Sequence, residues 1–214
     1  MRRDTYVVGK FYFPEVKMMR KLFMLLIAGM LISGICRAQP IMDQITLPVK
    51  TSIRAIATVN DSTVWFAGSN GYYGYTNDDG RNWHLDSIRV NTMKPDFRSI
   101  SVTNDHTIFL LNAGSPAYLI RSTDTGKTWN TVYSNDGKDA FFDSMKFRDE
   151  KNGIAAGDPV NGCFNIIMTH DGGETWQPAN CSKLPQSLEG EASFASSNTS
   201  LDVFKNNIWI ATGG

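Results

Sequence analysis

An octapeptide occurs three times in this chain: TNDDGRNW (76–83), STDTGKTW (122–129) and THDGGETW (169–176) share Ser or Thr first, Asp third, Gly fifth and Trp last. Trp83, Trp129 and Trp176 are almost evenly spaced. Self-similarity at a fixed period of about 40–50 residues means an array of like units, each burying its apolar face against the next. Whatever else the chain does, it must fold as such an array.

The segments around each octapeptide identify the unit. RSISVT (98–103), TIFLLN (107–112) and AYLIRS (117–122) lead into the second copy and WNTVYS (129–134) follows it, each bounded by Asn, Asp, Gly or Pro. Short β-branched and aromatic runs between such turn residues read as strands. The first repeat has the same run through IRAIAT (53–58), TVWFAG (63–68) and GYYGYT (71–76), and the third through DSMKF (143–147), GIAAG (153–157) and FNIIMT (164–169). Four antiparallel strands per unit at this period define the blades of a β-propeller, and the predicted class is all-β.

The octapeptide then joins the third and fourth strands of a blade. Asp78, Asp124 and Asp171 are short acceptors suited to backbone N–H groups within a turn. Gly80, Gly126 and Gly173 permit positive φ. Thr76, Ser122 and Thr169 open the motif, and the tryptophans open the outer strand as apolar anchors whose N–H seeks an acceptor. All these roles are structural.

The pattern S/T-x-D-x-G-x-x-W resembles the Asp-box, or BNR, repeat of sialidases, sortilin-type receptors and photosystem II assembly-factor-like propellers, and the resemblance covers the chain after residue 50. It implies that the boxes lie on the face away from the ligand site. GEASFASSNTS (190–200) with NIWIATGG (207–214) also resembles secreted bacterial members labelled oxidoreductases, a chemistry that no residue here supports. The fourth repeat supplies two strand-like segments before Gly213-Gly214, so the expectation for 51–214 is three blades plus a truncated fourth. A ring of this type has 4–8 blades.

At the other end, Arg20-Lys21 precede an apolar run of about 14 residues, Leu22 to Ile35, followed by Ala38 and Gln39. This is the order of a secretory signal, and the run is shorter than the ~20 residues of a spanning helix. Residues 18–38 are therefore expected to be a signal peptide cut after Ala38, giving a secreted or periplasmic protein with no stable membrane span, and 39–50 a linker. Ile35 before Cys36 argues against a lipobox. Residues 1–17 fit neither part, and the tandem Met18-Met19 marks the expected start. Cleavage leaves Cys163 and Cys181 flanking the third box, either as a disulfide or as two buried thiols.

Acidic and basic residues balance at 21 each, which excludes a polyanion-directed charge pattern and with it a nucleic-acid partner. Gly126-Lys127-Thr128 imitates the end of a phosphate-binding loop, but Arg121 stands where its first glycine belongs. His84, His106 and His170 are isolated, no Gly-x-Ser-x-Gly elbow occurs, and neither a metal nor a cofactor is expected. Aligning the repeats places Arg54, Arg98 and Asp143 at one inner-strand position, with Glu191 near it in the fourth repeat and Asp158 in a neighbouring loop. These five are the candidate ligand residues, since convergent arginines grip carboxylates or phosphates through paired N–H donors. The function expected is a binding or assembly module for an extracytoplasmic protein or glycan. The alternative is an exo-sialidase-like glycoside hydrolase, although the Phe/Tyr-Arg-Ile-Pro motif of sialidases is missing and no catalytic residue is assigned.

Overall fold

The computed structural model describes residues 44–194 and 198–214. The chain divides into two compact units, Met1–Lys50 and Thr51–Gly214. In the first, residues 44–50 carry no helix or strand. The expected start, secretory segment and cleavage point lie outside the described residues. No helix among the described residues is long and apolar enough to cross a membrane.

The second unit is a succession of antiparallel sheets. The first contains β1 (Ile53–Thr58), β2 (Val64–Gly68), β3 (Tyr72–Thr76) and β4 (His84–Ser87); the second β5 (Asp96–Val102), β6 (Ile108–Ala113), β7 (Ala117–Ser122) and β8 (Asn130–Asn135). The third contains β9 (Phe142–Phe147), β10 (Gly153–Val160), β11 (Cys163–Thr169) and β12 (Gln177–Pro178). Each is a simple meander in chain order. In the fourth repeat β13 (Ala192–Ser193) pairs with β16 (Thr212–Gly213), and β14 (Leu201–Phe204) pairs with β15 (Asn207–Ile210). This is the partial propeller that the repeat period predicts.

Burial follows strand position. Every residue of β6 is buried, whereas β8 and β12 are largely exposed, so the middle strands carry near-continuous apolar runs and the outer strands polar ones. The inner strands β1, β5, β9 and β14 lie side by side. Three apolar clusters fill the gaps between sheets: Trp65 and Tyr73 with Phe97 and Ile100, then Phe109 and Leu119 with Phe142 and Met145, then Ile154 and Ile166 with Leu201. Each fully buried side chain of this size contributes roughly 1.5–3 kcal/mol.

One irregularity repeats in all three complete sheets. Ile53 pairs with Gly68 but Ala55 with Ala67; Phe97 pairs with Asn112 but Ser99 with Leu111; Phe142 pairs with Gly157 but Ser144 with Ala156. The residue skipped each time is Arg54, Arg98 or Asp143. A bulge leaves that residue outside the ladder and re-aims its side chain, so the sequence alignment of these three coincides with a common backbone device.

Cys163 begins β11 and Cys181 begins a 3-10 turn after β12; their sulfurs are bonded, with Cα atoms 5.7 Å apart, inside the range a disulfide spans.

Candidate functional site

The three boxes build one turn. Thr76 Oγ1 donates to Asp78 Oδ1 (2.9 Å) and accepts from Gly80 N (2.9 Å), while Asn82 donates its N to Asp78 Oδ1 (2.9 Å) and its Nδ2 to Oδ2 (2.7 Å). Ser122, Asp124, Gly126 and Thr128 repeat these bonds, as do Thr169, Asp171, Gly173 and Thr175. The seventh box position is thus a working member that the four-residue pattern overlooks. Its signal is a donor side chain, Asn or Thr, before the tryptophan in every copy. The phosphate-loop imitation is explained as well: Gly126 N and Thr128 Oγ1 are committed to Ser122 and Asp124.

These bonds set the acidity of the boxes. The backbone and side chain of Asn82 hold Asp78 at about 2, and the side chain and backbone of Thr128 hold Asp124 at about 2. Thr175 likewise keeps Asp171 well below the usual range. A depressed carboxyl contributes stability above its unfolded value, and that stability disappears as pH falls through the folded one. Acid unfolding of the chain is therefore expected to steepen between pH ~4 and ~2, and Asp124→Asn, titrated by circular dichroism, is expected to flatten that limb. An unchanged acid limb would remove the boxes from the account.

The box tryptophans anchor to neighbouring strands. Trp83 Nε1 donates to Gly80 O (3.2 Å) and Trp129 Nε1 to Gly126 O (3.1 Å), while Trp176 Nε1 is buried with no partner among the described residues. Trp129 meets Tyr73 edge-on at 5.1 Å and Trp176 meets Phe109 at 6.4 Å, each in the preceding sheet. The boxes also bond the loop between the first two strands of their own sheets, through Asp79 N to Ser62 O, Thr125 N to His106 O and Gly172 N to Lys151 O.

The candidate ligand residues lie at the opposite end of the strands, where each inner strand begins. There the loops between second and third strands bond the inner-strand entries, as in Ser69 N to Ser52 O, Ser115 Oγ to Ala140 O and Asp158 N to Phe141 O. Arg98 donates through Nε (3.2 Å) and Nη2 (3.1 Å) to Asp96 Oδ2, and its guanidinium lies 5.8 Å from the Phe141 ring centre. Asp143 is fully buried and, among the described residues, neither of its oxygens has a hydrogen-bond partner. Burial, then the nearby Asp158 charge, raises its carboxyl to about 7 against the opposing pull of Arg98. Arg54 Nε, Asp96 Oδ1 and Ser193 Oγ are also buried with no hydrogen-bond partner among the described residues. Asp158 Oδ1 accepts from Ser193 N (2.8 Å), and Asp158 with Phe141, Ser115 and Lys138 lines an open cleft of about 440 Å³.

Glu191 stands apart from this group. It precedes β13, and its carboxylate accepts from Leu188 N (2.8 Å) and Thr212 Oγ1 (2.5 Å). The inner strand of the fourth repeat is β14, entered later in the chain: Ser200 Oγ bonds Ser144 Oγ at 3.1 Å, which makes Thr199 the counterpart of Asp143. The polar 190–200 stretch has no periodicity from which to count, so alignment places the strand too early. The histidines sit at turns and an edge: His84 stacks on Tyr75, His106 Nδ1 meets Thr125 Oγ1 and His170 Nδ1 meets Asn152 Oδ1. Among the described residues no cluster of three or more His, Cys, Asp or Glu has metal-binding geometry.

Repeating meanders locked by box turns define a class, the Asp-box β-propeller. Residues 37–138 match the model of the family described as photosynthesis system II assembly factor YCF48. Among solved structures, one titled "YCF48 bound to D1 peptide" is similar at 20% identity and a TM-score of 0.52, covering 72% of this chain. This chain spans 51% of that protein's length. YCF48 from Cyanidioschyzon merolae is similar at 19% identity and a TM-score of 0.47, over 62% of this chain and 38% of its own. No curated protein matches.

Proposed function

We propose that the chain is an extracytoplasmic binding and assembly module that grips a protein segment on the face opposite its boxes. The observation that carries this reading is the row of bulge residues at one end of the inner strands, where donors and acceptors are buried with no hydrogen-bond partner among the described residues: Arg54 Nε, Asp96 Oδ1 and both oxygens of Asp143. Buried polar groups are ordinarily satisfied, and a polypeptide brings both donors and acceptors to such a place. A solved relative with a bound D1 peptide supports a protein ligand, and the leader-like order of residues 18–38 with a linker over 39–50 supports delivery across a membrane. A glycan is the other ligand class for the same face.

The test is binding of the full chain to an array of peptides with free or amidated C-termini. Arg54→Glu is expected to weaken carboxylate-bearing ligands about tenfold or more, because a paired carboxylate contact is replaced by repulsion. Lys127→Glu, on the box turn, is expected to change nothing. Full binding by the Arg54 variant would sink this face as the site. A glycosidase reading draws on Asp143, held protonated near neutrality beside the Asp158 charge, because an acid next to a carboxylate is what such hydrolysis uses. Zero turnover of a fluorogenic sialoside removes it.

A further inference from the structure

Register superposes the three complete sheets. Trp65, Phe109 and Ile154 pair with Ala57, Ser101 and Lys146, each the third residue after Arg54, Arg98 or Asp143. Counting two residues back from the bulge gives Ser52, Asp96 and Phe141, so the third sheet carries an aromatic ring where its neighbours carry short polar side chains. That ring already meets one guanidinium: Arg98 lies 5.8 Å from its centre and donates through Nε and Nη2 to Asp96. A ring beside a carboxylate is a receptor for arginine, and this chain builds one for its own use.

A second receptor of the same make-up stands open. Phe141 also lines the cleft of about 440 Å³ between the second and third sheets, together with Ser115, Lys138, Asp139, Asp158 and Pro159. Two carboxylates outnumber one ammonium there, so the cleft carries net negative charge. Its neutral polar groups are taken: Ser115 Oγ donates to the carbonyls of Lys138 (2.8 Å) and Ala140 (2.9 Å), and the Phe141 carbonyl accepts from Asp158 N (3.1 Å). Among the described residues the Asp158 carboxylate gives Oδ1 to Ser193 N (2.8 Å), and Oδ2 remains for an incoming donor. Beside Asp158 the Asp143 carboxyl is wholly buried with no hydrogen-bond partner among the described residues, and a positive charge at Asp158 would favour its ionised form.

We propose that this cleft takes an arginine side chain of the protein segment, its guanidinium against Phe141 and Asp158 and its aliphatic stem along Pro159 and Val160. On the reading that this face binds a polypeptide, the cleft decides which side chain that polypeptide presents. A carboxylate is excluded, because Asp139 and Asp158 repel it. Arginine is selected over lysine because a planar guanidinium stacks on a ring while donating in its own plane to a carboxylate, as Arg98 does. The corresponding place between the first and second sheets is bridged, Gly71 N donating to Pro95 O (2.6 Å), and has Asp96 in place of the ring.

Two probes test this on the full chain: N-acetylarginine methylamide and its citrulline counterpart, which is neutral and of similar shape, each titrated with detection by two-dimensional NMR. Expected are saturable shifts at residues 138–141 and 158–160, a dissociation constant of about 1–10 mM for the arginine probe and at least about tenfold weaker binding of citrulline. Asp158→Asn keeps an acceptor for Ser193 N and Phe141→Leu keeps apolar bulk. Each, with circular dichroism unchanged, is expected to bring arginine down to the citrulline level. In the peptide array, exchanging the ligand's arginine for citrulline is expected to cost about tenfold, a ratio that Arg54→Glu leaves intact. No shift at about 10 mM, equal affinity of the two probes, or an Asp158→Asn variant that keeps its arginine preference overturns the arginine site. Peptides that bind through Arg54 and ignore the exchange overturn it too, while the peptide-binding face stands. Binding of the arginine probe without binding of any peptide supports the site and overturns that face alone. Displacement of the probe by calcium chloride at equal concentration overturns the arginine site in favour of a metal ion.

Discussion

Gly173→Ala is expected to destabilise the chain by about 3–4 kcal/mol. Two terms add. The residue sits at φ 76°, a region that L side chains enter at roughly 1–2 kcal/mol. The new Cβ would also stand 2.3 Å from Phe109, which is wholly buried and stacked on Phe147 at 4.5 Å, so its ring has nowhere to retreat. Gly126→Ala meets Trp65 at 3.1 Å and should fall between this and Gly162→Ala, whose φ is 79° with nothing within 4 Å. Gly162→Ala isolates the backbone term, about 1 kcal/mol. Urea midpoints at constant slope measure the order. If Gly173→Ala is no worse than Gly162→Ala, the box glycine is not a packing element.

Asp143→Asn is expected to do the reverse and stabilise the chain, but only at neutral and alkaline pH. The Asp143 carboxyl titrates at about 7 in the fold, against 3.8 as its ordinary value, because burial and Asp158 disfavour its charge. Between those two values the folded chain keeps a proton that the unfolded chain has lost. The stability that the neutral carboxyl confers is complete below pH ~4 and is lost as pH rises through 7. The neutral amide escapes this loss, so the variant should gain roughly 2–4 kcal/mol at pH 8 and almost nothing at pH 4. Thermal melts at intervals from pH 4 to 8.5 test it; parallel curves for the two proteins would show that the Asp143 carboxylate is already stabilised in its charged form.

Most of the architecture is legible in the sequence because turn chemistry and strand alternation agree. IRAIAT (53–58) coincides with β1 and AYLIRS (117–122) with β7, and the other predicted strands of the three complete sheets lie within a few residues of their observed bounds. The equivalence of Arg54, Arg98 and Asp143 is legible too, although the bulge that gives it meaning depends on hydrogen-bond register and has no residue signature. What the sequence conceals are long-range choices. Glu191 is misplaced because nothing in 190–200 marks where β14 begins. Asn82, Thr128 and Thr175 are passed over because their side chains resemble ordinary turn residues until the Asp that they bind is seen in space.

The contact between a box glycine and the second strand of the preceding sheet also decides how such chains can be shuffled. A graft running from the second strand of one sheet through the box of the next, residues 64–129 for example, transfers Trp65 with Gly126 and Tyr73 with Trp129 as matched pairs. Exchanging whole sheets at the loops between them would separate those pairs and set Gly126 against the smaller Ile154 or Gly173 against the larger Trp65. The heritable cassette of this array is therefore offset by a single strand from the sheet that the eye picks out.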